Sequence, residues 1–270
     1  MKKAICFVYD KKYAHQGNIA LQSAKKHNPD YTTVHMTDDA STSNADIVLH
    51  PNDINVSPSN KDWIVISRVG ILEHTLTKLD FDSCVFVDGD TYTYNNYTDI
   101  QNELDDGSSL VVIPHLLKPL PEDNFFPQTR TMCFAGNYNS GFLGASKKGI
   151  EFIRWWKFQT TLFPQSAPES GLAAEQGWLR FAGDFDDNVK IFRNPGYNVA
   201  YWNIKERNIE IINDQIIIDG HNLVSIHFSG LKKDIPPERM SMFQNRHTLS
   251  TNDIVYKLYR DYHNMVWNNI

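Results

Sequence analysis

Short apolar runs alternate along this chain with stretches of helical spacing. Residues 4–9 (Ala-Ile-Cys-Phe-Val-Tyr) carry no polar break, which is the pattern of a strand buried on both faces. Residues 18–26 read as a helix, and residues 32–35 and 46–49 as further strands. Across residues 69–79, Ile71, Leu72, Leu76 and Leu79 fall on one helical face. Residues 84–87 and 110–114 are again short buried strands. This order predicts an α/β fold: a mixed, mainly parallel sheet flanked by helices on both faces, Rossmann-like in its first half. Residues 116–137 break the pattern. Prolines at 119, 121 and 127 and the lack of a period predict a long loop, a kind of segment that is often functional. Beyond it come a strand at 140–145, an aromatic-rich helix at 149–160, a connection at 162–171 and a helix at 173–181. Strands are expected at 189–192, 209–212, 216–218 and 223–228, with a tight hairpin at Asp214-Gln215 and a closing helix over 252–266. No repeat or linker interrupts the 270 residues, so one domain is expected.

Composition narrows the class. Hydrophobic residues make up 41% and charged residues 21%, the balance of a water-soluble globule large enough to close a core without disulfides. The three cysteines are far apart, and Cys6 and Cys84 lie in apolar runs, so buried thiols in a reducing compartment are expected. The first apolar run is too short for a secretory leader, and no stretch reaches the roughly 18 apolar residues of a membrane span. A cytoplasmic protein is expected. The net charge of −6 and the absence of a basic stripe argue against a nucleic-acid surface. That charge would also repel a phosphate-bearing ligand, unless a divalent cation offset it locally.

The densest chemistry follows the strand at 84–87, where Val87 runs into Asp88-Gly89-Asp90. In open α/β sheets ligands bind beyond the carboxyl ends of strands. Two carboxylates at i and i+2 point the same way and repel unless a cation lies between them. Hard divalent ions take such oxygen ligands and keep positions open for phosphates. Alone, the motif is equally a solvated acidic turn. It also approaches the D-x-D-x-T motif of haloacid-dehalogenase-type phosphatases, with Tyr92 at the last position and only Gly183-Asp184 with Asn188 toward their later acidic motif.

Taken in order, several segments make the chain resemble the GT-A glycosyltransferases, and within them the retaining glycosyltransferase family 8 of bacterial galactosyltransferases and glycogenin. Residues 5–10 with Tyr13 look like the first strand and nucleotide-base loop. Arg68 resembles a basic residue opening the helix before the acidic motif, and Asp88-Gly89-Asp90 matches DxD. Asn139-Ser140-Gly141 resembles the N-[ST]-G segment of the sugar pocket. Glu175-Gln176 resembles the D-Q pair at a helix start, with Glu in place of Asp. His227-Phe228-Ser229-Gly230-Leu231-Lys232-Lys233 resembles H-x-x-G-x-x-K, although Asp234-Ile235 replaces the usual Pro-Trp.

The resemblance implies a nucleotide-sugar donor, a UDP-sugar first, with Tyr9, Asp10, Tyr13, Arg68, Asp88, Asn139, Ser140, Gly230 and Lys233 around it. It implies Mn2+ or Mg2+ on Asp88, Asp90 and His227, with imidazole favouring manganese. Glu175 and Gln176 would line the reacting face of a retaining transfer to a glycan or glycolipid acceptor, in the making of a bacterial surface glycan. Residues 1–115 would then form the nucleotide-binding half, 116–250 the sugar and acceptor half, and 251–270 a C-terminal helix. Aromatics and amides alternate through residues 194–203, a composition that suits a sugar pocket and equally a packed loop. Trp155-Trp156 reads as helix packing. Tyr256, Tyr259, Tyr262 and Trp267, with Lys257 and Arg260, would allow peripheral contact with the inner membrane face. Two other readings predict different chemistry. A phosphohydrolase would use Asp88 as nucleophile, and a non-catalytic sugar-nucleotide binder would turn nothing over.

Overall fold

The computed structural model describes residues 1–268. Its centre is a seven-stranded sheet in the order β3-β2-β1-β4-β7-β6-β8. The strands are β1 (Lys3–Val8), β2 (Thr32–Met36), β3 (Ile47–Leu49), β4 (Ser83–Val87), β6 (Leu110–Pro114), β7 (Tyr138–Ser146) and β8 (Val189–Ile191). The β1–β2, β2–β3, β1–β4 and β6–β8 pairs are parallel, and only β7 runs against its neighbours β4 and β6. The sheet is thus mixed and mainly parallel, as the alternation of elements predicted.

Helices cover both faces because successive side chains of a buried strand point to opposite sides. Ala4, Cys6 and Val8 of β1 pack with residues of α2 (Trp63–Thr77) and α5 (Ile150–Leu162). Ile5 and Phe7 pack with α1 (Ala14–His27) and α3 (Thr98–Asp105). Cys6 and Cys84 are buried free thiols, while Cys133 is exposed. A third cluster joins the later strands to the last helix, α7 (Ile254–Trp267). Tyr259 and Tyr262 of α7 are fully buried, and Tyr262 stacks on Phe228 with centroids 3.8 Å apart. This overturns their expected place at a membrane surface, because the aromatic face of the helix is its docking face. The expectation of a helical segment over 251–270 extends past the described residues at 269 and 270. Among the described residues no helix is long and apolar enough to cross a membrane.

Other expectations need adjusting. The helix α2 starts at Trp63, so Arg68 lies inside it rather than at its start. The long loop contains a short helix, α4 (Thr129–Ala135), whose start is closed by reciprocal bonds between Gln128 and Thr131. The segment at 173–181 is a 3-10 turn over Gln176–Phe181 followed by α6 (Ala182–Phe185). The strands β9 (Ile209–Ile212) and β10 (Gln215–Ile218) pair with Ile212 opposite Gln215, so the hairpin turn is Asn213-Asp214. Both turn residues have positive φ, 51° and 62°, the geometry that suits tight two-residue hairpins. A short β11 (His221–Asn222) extends that sheet.

Two features of the topology place the site. The strand order reverses between β1 and β4, so the crevice of this sheet lies beyond the carboxyl ends of those two strands, next to Tyr9-Asp10 and to Asp88. A separate antiparallel pair, β5 (Thr91–Thr93) and β12 (Ser225–His227), sets His227 opposite Thr91.

Candidate active site

Asp88 follows β4 directly, and its backbone N–H is held by the Gly141 carbonyl at 2.8 Å. The chain then turns, with Thr91 N–H bonded to the Asp88 carbonyl at 3.1 Å, and Asp90 sits in this turn. Register with β5 brings in His227, and Phe228 N–H locks the join on the Asp90 carbonyl at 2.8 Å. One ligand atom from each of Asp88, Asp90 and His227 lies within 4.8 Å of the others. His227 Nε2 is 3.0 Å from Asp90 Oδ1 and 3.8 Å from Asp88 Oδ2. Its Nδ1 faces Asn198 Oδ1 at 3.2 Å. An amide oxygen can only accept, so Nδ1 carries a proton there, and Nε2 is the nitrogen turned to the carboxylates. An imidazole oriented in this way by an outer partner is the usual arrangement of a metal-binding histidine. Asn198 reaches it from a left-handed backbone, φ 49°.

Charge inside this cluster is finely opposed. Burial pushes the Asp88 carboxyl up, against the pull of Arg68. Burial would also raise Asp90, but the adjacent His227 outweighs it and holds Asp90 below the usual carboxylate range. Burial would lower His227, and Asp90 reverses that too, raising it. Arg68 ion-pairs with Asp88 through one guanidinium nitrogen, while the other donates to Glu175 Oε1 at 2.6 Å. Glu175 also accepts from Ser140 Oγ at 3.0 Å, and its backbone carbonyl is tied by Trp156 Nε1 at 2.7 Å. The packing tryptophan therefore holds the start of the Gln176–Phe181 turn.

These groups open on a cleft of about 440 Å³. Of the residues picked from sequence, Tyr9, Tyr13, Arg68, Asp88, Asp90, Asn139, Gln176 and His227 line it. Glu175 and Ser140 lie buried just behind, and Asp10 serves locally, accepting from Tyr13 N–H at 3.0 Å. The Tyr9 ring is almost wholly buried, stacked on His35 at 3.6 Å, and Tyr13 is the exposed aromatic at the rim. Gly89 faces Tyr9 and Gly17 rather than the cleft. Gly230 has φ 73°, and a Cβ there would meet the Phe243 ring and Ser241 Oγ, each at 2.5 Å. Lys233 is exposed and absent from the lining, with its carbonyl bonded to His263 of α7 at 3.1 Å. Lys232 is absent from the lining as well, but its Nζ stands 5.3 Å from the ring centre of Tyr13, which does line the cleft.

Sequence reasoning missed His115, which lines the cleft from the end of β6, and Met132, Ala135 and Phe243, which line it too. A histidine one residue past a buried strand, at the carboxyl end that carries ligands, was an available signal for His115. Nothing local marks the others. Trp202, from the aromatic–amide stretch, stands edge-on between His115 and His227, at 5.5 and 5.3 Å.

No protein-family model matches the chain. A curated protein of Bacillus subtilis (strain 168), uncharacterized protein YfnF, is 26% identical over 156 residues, 57% of this chain and 51% of that protein. The match thus spans about half the length of that relative. A solved structure with a similar fold is the crystal structure of a glycosyltransferase involved in the glycosylation of the major capsid of PBCV-1. It aligns with a TM-score of 0.54 over 84% of this chain and 93% of that one, at 10% identity. At that identity the likeness is one of fold.

Proposed function

We propose that the protein is a divalent-cation-dependent glycosyltransferase that moves a sugar from a nucleotide-sugar, a UDP-sugar first, to a hydroxyl of a glycan or glycolipid. The observation that carries this reading is the convergence of Asp88, Asp90 and His227 at the crevice of the sheet, beside a cleft with room for a ligand. The donor set fits a cation: two oxygens and one nitrogen, the latter with its outer hydrogen bond already made. One imidazole beside two carboxylates suits Mn2+ better than Mg2+. Such an ion, when bound, supplies positive charge where the diphosphate leaving group gains negative charge.

The chain's own residues would do the rest. Tyr9, Asp10 and Tyr13 would hold the base, and Asn139, Ser140, Glu175 and Gln176 would bound the sugar. Arg68 fixes Asp88 and Glu175 relative to each other. Gly230 admits close approach, and Lys233 or Lys232 would neutralise phosphate. The carboxylates among the cleft-lining residues are Asp88 and Asp90, both committed to the cation cluster. That leaves no separate carboxylate poised as an inverting base, which supports retention. On this reading residues 1–115 form the nucleotide half and 116–250 the sugar and acceptor half, closed by α7. The setting we favour is the cytoplasm, with a glycolipid acceptor met at the membrane face, in bacterial surface-glycan synthesis.

The test is donor hydrolysis with and without Mn2+ over a panel of UDP-, GDP- and CMP-sugars, for native protein and Asp90→Ala. Metal-dependent nucleotide release from one sugar, lost in the variant, is expected. Phosphate release from sugar phosphates instead would favour the phosphohydrolase, and nucleotide-sugar binding without turnover the non-catalytic binder.

A further inference from the structure

Two carboxamides, Asn139 and Gln176, line the cleft, and backbone groups of fixed polarity dictate how each is turned. Gly141 N–H donates to Asn139 Oδ1 at 2.9 Å, and Ser140 N–H donates to Gln176 Oε1 at 3.0 Å. The Ala135 carbonyl accepts from Gln176 Nε2 at 2.7 Å. Reversing either amide would set two donors or two acceptors face to face. Asn139 Nδ2 is thereby left between Gln176 Oε1 and His115 Nε2, at 3.1 Å from each. That placement requires His115 Nε2 to carry a lone pair. Its Nδ1 faces the Gly136 carbonyl at 2.8 Å, so the ring proton belongs on Nδ1. Burial lowers this histidine to about 4, which keeps the ring neutral. His115, Asn139 and Gln176 therefore form one chain of hydrogen bonds with a single consistent direction.

Counting hydrogen-bond capacity shows what the chain leaves over. Both hydrogens on Asn139 Nδ2 are used, and Ser140 N–H and Asn139 Nδ2 fill the two lone pairs of Gln176 Oε1, while Ser140 Oγ spends its one hydrogen on Glu175. One hydrogen on Gln176 Nε2 and one lone pair on Asn139 Oδ1 remain. A hydroxyl, which donates and accepts at once, is the one neutral group that can meet either of them. A carboxylate accepts only, and would press its charge on the Asn139 carbonyl oxygen close to Asp88.

We propose that His115 is a positioning residue that, through Asn139 and Gln176, fits the cleft wall to a neutral hydroxyl of the transferred sugar, selecting hexosyl over uronosyl donors. This rests on the glycosyltransferase reading. It is tested by calorimetric titration, with Mn2+ present, of UDP, UDP-glucose, UDP-galactose and UDP-glucuronate into native protein, His115→Phe and His115→Gln. The native protein is expected to bind one UDP-hexose about tenfold more tightly than UDP-glucuronate, as one mismatched buried polar contact would give. His115→Phe should lose that preference while its UDP affinity stays within about twofold. His115→Gln supplies an amide oxygen and an amide N–H in place of the two ring nitrogens, and should recover part of it. An intact preference in His115→Phe, a fall in UDP affinity in step with UDP-hexose, or tighter native binding of UDP-glucuronate would each overturn the inference. Failure of UDP itself to bind the native protein strikes at the glycosyltransferase reading and takes this inference with it.

Discussion

Replacing Gly141 by alanine tests the cluster with a single methyl group. A Cβ built there would stand 2.6 Å from His227 Cε1, 2.8 Å from Asp88 Oδ2 and 2.9 Å from Asn139 Oδ1. Ordinary contacts begin near 3.5 Å. The strand is held on the β4 side, where Phe142 pairs with Val87 and Asp88 N–H bonds the Gly141 carbonyl at 2.8 Å, and it is pinned to β6 on either side of an irregularity, through Asn139 and Leu143. His227 is equally held, by β5 on one side and Trp202 on the other. The clash must then be relieved by displacing two of the three ligand side chains, His227 and Asp88, together with Asn139. Overpacking of this kind costs about 1–3 kcal/mol. For a chain of this size that is a fall of roughly 2–10 °C in Tm. Mn2+ affinity should fall by about tenfold or more, the scale of disturbed ligand support. Calorimetric melting and Mn2+ titration read the two effects separately. Gly89→Ala is the control, since its Cβ would make only ordinary contact, 3.4 Å from Tyr9. A Gly141→Ala protein that melts within about 1 °C of native and binds Mn2+ equally well would refute the packed-cluster argument.

Removing Arg68 leaves Asp88 and Glu175 buried without their shared partner, so Arg68→Met should lose about 3 kcal/mol in urea unfolding at pH 7; a loss below about 1 kcal/mol would contradict the pairing. Lys232→Ala should raise the KM for the donor more than Lys233→Ala, because Lys232 stands over Tyr13 at the rim; the reverse order in steady-state kinetics would restore Lys233. The buried His35 and His115 are both lowered by burial to about 4, so the unfolded chain takes up protons that the folded chain refuses. Their stabilising contribution is complete above about pH 6.5 and is lost as pH falls toward 4, about 3–4 kcal/mol for the two between pH 7 and pH 5. His227 is raised and works the other way, so the steepest fall in urea stability is expected in His227→Gln, and a flat profile there would disprove the neutral assignment.

How much of the fold was visible in the residues depended on how local its causes are. The strand at β1 and the alternation around it could be read because apolar continuity is a property of neighbours. Residues 63–68 gave no period, since α2 is buried on several sides and is apolar almost all round. The three residues of β5, Thr91-Tyr92-Thr93, are types that suit a strand but too few to define one. They are extended because β12, far along the chain, pairs with them. The isoleucine runs around the hairpin left one residue of ambiguity that only pairing resolves, and Asn213-Asp214 tolerates the positive φ that the turn needs. The helix α4 was hidden by prolines before it and depends on its own capping bonds.

The candidate site was legible as types of residue and not as directions. Asp88, Asp90 and His227 were chosen because their chemistry requires a common partner, and the β5–β12 pairing supplies the closeness that no spacing could state. The pair Glu175-Gln176 shows the opposite limit. Both are polar residues at the opening of a turn, yet Glu175 is spent on Arg68 and Ser140, and Gln176 on β7 and Ala135. The chain has 32 acidic residues, any of which the sequence alone leaves free to act as a base. Only the folded cleft restricts that inventory to Asp88 and Asp90. Both stand within reach of one cation, and a carboxylate bound to a cation is a poor acceptor for a proton.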